Sequence, residues 1–485
     1  GSTITQQYVK NTYLSQDQTV TRKVKEFVIA LKVDRKKSKS EILKGYLNTS
    51  WFGRGAHGIE AAARAYYGIP AKELDPSQGA MLAAMLKGAD LYDPAVSSAN
   101  HERARERWAW ILDRQVEVGL MAKKERAKYR VFPEPRSRSR STSLGGQTGY
   151  LVDVANRYLK QQTGLTDEEL ARGGYEIHTT FDRTKVHRLE RAVRRVVARD
   201  LDPEKRPADR HVQVGAASVR PSDGALVALY GGPDATTHFT NNADTSGVPV
   251  GSAFKPFVLA AALQYGAARQ GVGADSHYAA DGVLRRADGA PDPDRPTLRE
   301  ALVSGGNATY VRLGKDVGRD TVRRTAVAAG MLRHSMARLE PTFSIGTSTP
   351  SAIRVATAYG TFTNDGVRRD PYSVTKVVKD GEPLSGLAPP SSRRALDPQV
   401  AQEVADALRT AGKRMGVDVA AGRTGDQDRL RSAWFAGFSK DLSTAVTLFR
   451  LRPGEPQLLP LSGVAGKKSE RGNVLPPRIW KEYEG

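Results

Sequence analysis

Ser252 and Lys255 stand three residues apart in the segment Val250-Gly-Ser-Ala-Phe-Lys-Pro-Phe257. On a helix that spacing puts both side chains on one face, a weak nucleophile beside an amine able to take its proton. Gly251 before and Pro256 after suit a tight turn into a helix, which would seat the serine at the helix N-terminus. There the dipole and the free N–H groups favour the negative charge that develops in acyl transfer. Ser-x-x-Lys alone arises by chance, so its neighbours decide. Ser304-Gly-Gly-Asn307 and Gly422-Arg-Thr-Gly-Asp426 lie downstream. The surrounding elements must bring these together. Val214–Arg220 and Gly224–Gly232 read as two strands joined by a Ser-Asp-Gly turn, and Arg431–Phe438 and Thr444–Phe449 as two more.

This order resembles the penicillin-binding transpeptidases and serine β-lactamases, whose three motifs are Ser-x-x-Lys, Ser-x-Asn and Lys-Thr-Gly. The resemblance implies that Ser252 attacks the penultimate D-Ala carbonyl of a donor stem peptide while Lys255 takes its proton. Asn307 would hydrogen-bond substrate and Lys255. Arg423, Thr424 and Gly425 would pair with the substrate backbone, and the N–H groups of Ser252 and Asp426 would hold the oxyanion.

Three positions depart from the family pattern. With Asn307 aligned, the hydroxyl position of the second motif falls on Gly305, and Ser304 replaces it only if the loop slips by one residue. That removes a proton relay, an effect typically of about 10²- to 10⁴-fold. Arg423 stands for Lys, keeping the charge without being able to lose a proton. Asp426 stands where Thr or Ser usually binds a carboxylate, and its charge opposes substrate and β-lactam alike. The reading is serine acyl-transfer chemistry of reduced strength. Its rivals are a non-catalytic scaffold and an acyl transferase or hydrolase preferring a cationic donor.

The N-terminal end carries an independent resemblance. Gly1-Ser-Thr-Ile-Thr-Gln-Gln7 with Lys10, then Arg22-Lys-Val-Lys-Glu26, Glu41–Asn48 and Arg54–Ala63 follow in the order of the second to fifth peptidoglycan glycosyltransferase motifs. Alone, Arg22 to Glu26 reads as an exposed charged turn; four motifs in order are far more specific. The implied chemistry joins lipid-linked disaccharides with loss of undecaprenyl pyrophosphate, which needs a carboxylate base and cations for the diphosphate. Lys10, Arg22 and Lys23 are the cations, and Gln6, Gln7 and Ser2 or Thr3 supply hydrogen bonds. Glu26 matches the second active-site carboxylate. His57 reads as structural or at the substrate rim, and Glu60 as part of a buried polar network. The family's first motif, a Glu-Asp pair holding the expected base, would lie before Gly1. The chain is therefore expected to be trimmed from a longer protein with an N-terminal membrane anchor.

Taken together the chain is identified as a member of the bifunctional, class A penicillin-binding proteins. Lipid II, glycan strands, stem peptides and β-lactams are the implied ligands, at the extracytoplasmic face of the cell membrane, with room for division or elongation proteins as partners. The implied fold is multidomain. An all-α, lysozyme-like glycosyltransferase domain spans 1–145, an inter-domain linker region 146–210, and an α/β (α+β) β-lactamase/transpeptidase-like domain 211–485.

Composition agrees with two or more domains. The 485 residues exceed one ordinary core, and 39% hydrophobic content suffices for globular folding. No run is apolar enough to span a bilayer. Cysteine is absent, and 74 Lys+Arg against 53 Asp+Glu give a net charge of +21. That charge suits anionic lipid, lipid diphosphate or teichoic polymers; no nucleic-acid motif accompanies it, and Arg136–Ser141 reads as a solvated linker. No metal cluster, phosphate loop or nucleotide fingerprint is present. The expectation is no cofactor and no metal site, leaving room only for a divalent cation at the diphosphate.

Residues 1–130 read as helices. Ser40 fits an N-cap, and Trp108, Ile111, Leu112 and Val116 mark a packed face. Helices are also expected over 150–161 and 184–199, with an alternating strand over 173–182.

Overall fold

The computed structural model describes residues 3–13, 29–54, 56–136, 144–171, 174–266, 271–286, 294–379, 381–387, 390–414, 420–423, 431–439, 441–452, 455–466 and 474–484. They form two compact units, residues 1–142 with 166–174, and residues 143–165 with 175–485. Of the segment expected as a linker region, 146–165 and 175–210 group with the second unit and 166–174 with the first.

The first unit is helical. Its main helices are α1 (Ile4–Tyr13), α2 (Lys39–Thr49), α3 (Ile59–Tyr67), α4 (Pro76–Met85) and α5 (Ser98–Glu117). Trp108 and Leu112 of α5 are buried with Phe52, Tyr66, Met81 and Met85, while Ile111 and Val116 lie at the edge of that core. The α2 cap is Ser38 and not Ser40, because only Ser38 has a Glu three residues on. Its hydroxyl accepts from Glu41 N–H and the Glu41 carboxylate accepts from Ser38 N–H, a reciprocal pair.

The second unit opens with α6 (Thr148–Thr163), β1 (Tyr175–Thr179) and α7 (Arg183–Asp200), then β2 (Val212–Val219) and β3 (Leu226–Tyr230). Next come α8 (Lys255–Ala261), α9 (Leu298–Ser304), α10 (Asn307–Val317), α11 (Arg319–Ala329) and α12 (Ala352–Thr363). The chain finishes with β4 (Val374–Lys379), α13 (Pro398–Arg414), β5 (Ala420–Arg423), β6 (Ser432–Phe438), β7 (Ser443–Arg450) and α14 (Leu475–Glu484).

Five of these strands form one antiparallel sheet in the order β5-β6-β7-β2-β3. Because side chains alternate along a strand, each face is apolar in its own right. Val446, Leu448 and Phe435 pack on Val193 and Val196 of α7 and Ile479 and Trp480 of α14. Ala445, Phe449 and Trp434 face the other way, into a core with α8, α12 and α13. Every residue of α8 is buried, so it is apolar all round except for Lys255. β1 pairs with β4 in a separate small sheet.

Candidate active site

The nucleophile segment is a single 3₁₀ turn, Gly251–Phe254, that runs straight into α8. Ser252 is 6% exposed and Lys255 fully buried. Neighbouring elements grip the turn through its backbone. Tyr359 of α12 donates to the Ala253 carbonyl at 2.8 Å, and Ser432 of β6 donates to Pro249 at 2.6 Å. Val250 N–H reaches the Ser348 carbonyl and Gly251 N–H the Gly346 carbonyl, both at 2.9 Å. Gly346 has φ +92, and a Cβ there would stand 1.9 Å from the Gly251 oxygen. Only glycine allows the two backbones this close. The sequence reading missed this segment; its signal was the Gly346-Thr-Ser-Thr-Pro350 punctuation.

A buried lysine amine is costly unless it is hydrogen-bonded. Lys255 Nζ donates to the Gly305 carbonyl at 2.8 Å and sits 5.6 Å from the centre of the Tyr310 ring. Tyr310 is itself buried, fixed by its hydroxyl donating to the Leu298 carbonyl at 3.0 Å. The structure thus brings Lys255 and the second-motif turn together, with half-buried Asn307 opening α10 from that turn. Gly305 closes α9 in the left-handed region at φ +85. Ser304 ends α9 on an exposed position. At the second motif the bond to the lysine comes from a main-chain carbonyl, which accepts a hydrogen bond but cannot pass on a proton.

β5 and β6 both pack against the nucleophile turn. β5 is an edge strand, pairing with β6 on one side with Arg423 opposite Phe435. Among the described residues no strand pairs with its other edge, the kind of edge an extended peptide can add to. The Arg423 side chain, and Thr424, Gly425 and Asp426 altogether, lie outside the described residues.

In the first unit, Thr3 and Gln6 cap α1 reciprocally, Thr3 N–H donating to Gln6 Oε1 at 3.0 Å and Gln6 N–H to Thr3 Oγ1 at 3.2 Å. Gln7 Oε1 accepts from the Tyr46 hydroxyl at 3.1 Å. Ser2, Arg22, Lys23 and Glu26, and the side chain of Lys10, lie outside the described residues. Tyr8 lies where a Cβ on Gly45 would meet its ring at 2.5 Å, so that glycine lets α1 settle on α2. His57 is exposed against the Trp51 ring, with centroids 4.7 Å apart. Glu60 is not buried as expected. Its side chain is 53% exposed, paired with Arg64 at 2.8 Å and accepting from Ala71 N–H, which holds its pKa below the usual range. The buried pair is instead Arg54 with Asp93, a two-pronged contact at 2.7 and 2.9 Å stacked over Tyr66. Among the described residues no group of three His, Asp or Glu gathers as a metal site.

A transglycosylase family model matches residues 1–116, and a penicillin-binding protein transpeptidase domain model matches residues 214–451. The chain belongs to the class A penicillin-binding proteins. Penicillin-binding protein 1A of Mycobacterium tuberculosis is 32% identical over 99% of this chain and 60% of its own length. The chain thus spans somewhat under two thirds of the length of such curated relatives. Among solved structures, penicillin-binding protein 1A from Haemophilus influenzae shares the fold with a TM-score of 0.66 at 17% identity, covering 99% of this chain and 86% of that one. The penicillin-binding protein PonA1 from Mycobacterium tuberculosis gives a TM-score of 0.55 at 25% identity, covering 70% and 91%. The helical first unit and the sheet-centred second unit are the two domains of a class A penicillin-binding protein.

Proposed function

We propose that this class A penicillin-binding protein builds peptidoglycan, polymerising lipid II and cross-linking stem peptides through an acyl-enzyme on Ser252. The observation that supports the cross-linking half is the single turn carrying Ser252 and Lys255, packed against both the Gly305–Asn307 turn and the edge strand β5. Ser252 Oγ attacks the penultimate D-Ala carbonyl and its proton passes to Lys255 Nζ. The C–N bond breaks, and the terminal D-Ala leaves as the amine with a proton returned to it. A neighbouring stem amine then attacks the ester and frees Ser252. Asn307 orients the substrate amide, and β5 with Thr424 and Gly425 pairs with its backbone.

On the polymerase side, Lys10, Arg22 and Lys23 hold the diphosphate, Gln6 and Gln7 line the acceptor, and Glu26 supplies a carboxylate. No cofactor takes part, and any divalent cation arrives with the diphosphate. These substrates place the protein at the extracytoplasmic face of the cell membrane. No described helix is long and apolar enough to cross a membrane.

A second reading, a scaffold with weak acyl transfer, is favoured by the glycine and backbone carbonyl at the second motif. Release of D-Ala from a synthetic stem pentapeptide separates the two. Turnover that is lost in Ser252→Ala supports the enzyme; no release above the Ser252→Ala background supports the scaffold.

A further inference from the structure

A cavity of about 320 Å³ opens in the second unit among α6, the start of α12 and the segments around Leu332 and Tyr372. Its lining includes none of Ser252, Lys255, Gly305 or Asn307, so it is separate from the acyl-transfer site. The group that stands out is Arg354, in the first turn of α12. Its backbone N–H bonds the Ser351 cap, but its guanidinium makes no hydrogen bond within the protein among the described residues. Its nearest anion is Asp370 at 3.7 Å, and that carboxylate is already engaged by Arg368. The side chain is 25% exposed, and burial holds its pKa below the usual arginine range. Five fixed N–H donors in a half-dry site, with only the long Asp370 contact at 3.7 Å and no hydrogen bond among the described residues, are suited to a planar anion from outside.

The remaining lining narrows what that anion belongs to. Half-buried Tyr158 presents a hydroxyl with no hydrogen-bond partner among the described residues, a second donor to the same space. Arg157 also lines it, paired with both Asp244 at 2.8 Å and Asp153 at 3.0 Å, whereas the Arg354 guanidinium has no hydrogen bond among the described residues; His334 is exposed at the rim. Val154, Leu226 and Ile353 supply an apolar wall, and Gln161 an exposed amide. Most of the lining is polar, with Ser246, Ser335 and Ser373 beside the charged groups, so a cavity of this size suits a small polar ligand. We propose that this cavity is a second ligand site, binding the terminal carboxylate of an amino-acid- to dipeptide-sized ligand through Arg354 and Tyr158.

The test is calorimetric titration of Ser252→Ala protein, which cannot acylate, with N-acetyl-alanyl-alanine and with its C-terminal amide. The acid is expected to bind saturably and the amide at least tenfold more weakly. Arg354→Gln should weaken the acid at least tenfold. Gln161→Trp, which fills the cavity from its exposed rim and leaves Arg354 intact, should do the same even if Arg354→Gln fails to fold. Equal binding of acid and amide, no saturable binding of the acid, or unchanged affinity in Gln161→Trp would overturn the proposal. Displacement of the acid by inorganic phosphate at matched concentration would also overturn it, by making the cavity a general anion site.

Discussion

Whether Ser252 acts as a nucleophile depends on the surroundings of one buried lysine amine. Lys255 is held by the Gly305 carbonyl and the Tyr310 ring. The departures at Gly305, Arg423 and Asp426 could be read from sequence as a missing relay and a reversed charge. The main-chain bond could not, because sequence specifies side chains and leaves open where a carbonyl points. The distinction changes what a reversion would do. At φ +85 a serine has open space but an unfavourable backbone. Gly305→Ser alone is therefore expected to lower stability by about 1 kcal/mol, read by urea unfolding. Gly305→Ser, Arg423→Lys and Asp426→Thr together are expected to raise β-lactam acylation more than about tenfold, or 1.4 kcal/mol of barrier. An unchanged rate in the triple variant would show that these three positions do not limit the domain.

At the scale of elements, the nucleophile turn is placed by its neighbours' backbones. Gly346→Ala would push a methyl group onto the Gly251 oxygen and drive the two segments apart. A displacement of about 1 Å costs on the order of 100-fold in such chemistry. The variant is expected to lose about that much acylation rate, measured against Thr347→Ala, whose exposed side chain lies one residue on. α14 offers a test of pH dependence. Burial is the main cause raising the Glu484 pKa, with the Thr444 hydroxyl bonded to it at 3.0 Å working the other way. The folded state therefore holds a proton that the unfolded chain releases. Stability falls as pH rises from the ordinary carboxylate range through the folded pKa, and the loss persists above it. Glu484→Gln keeps an acceptor for Thr444 and removes the buried charge. Its Tm is expected to rise at pH 7 and stay unchanged at pH 4 by scanning calorimetry.

Across the whole molecule, the fold was largely legible because its signals are local. The alternation in Val214–Val219 and Thr444–Phe449 marks strands apolar on both faces, and the period of Trp108 and Leu112 marks a core helix. What escaped were contacts between distant segments: Gly346 on Gly251, Tyr310 under Lys255, Arg54 on Asp93. Each joins residues whose local sequence pattern carries no trace of the partner. Glu60 was misjudged for the same reason, since nothing near it in sequence reveals that its helix turns that face to water. The two units share a chain in which one serine links the transpeptidase family to an activity. The most direct test of that link is labelling the protein with a fluorescent penicillin and mapping the adduct by peptide mass spectrometry. A covalent adduct on Ser252, formed slowly, absent in Ser252→Ala and reduced at least about 100-fold in Lys255→Met, is the expected result. No adduct, or one mapped to another residue, would contradict the acyl-enzyme assignment.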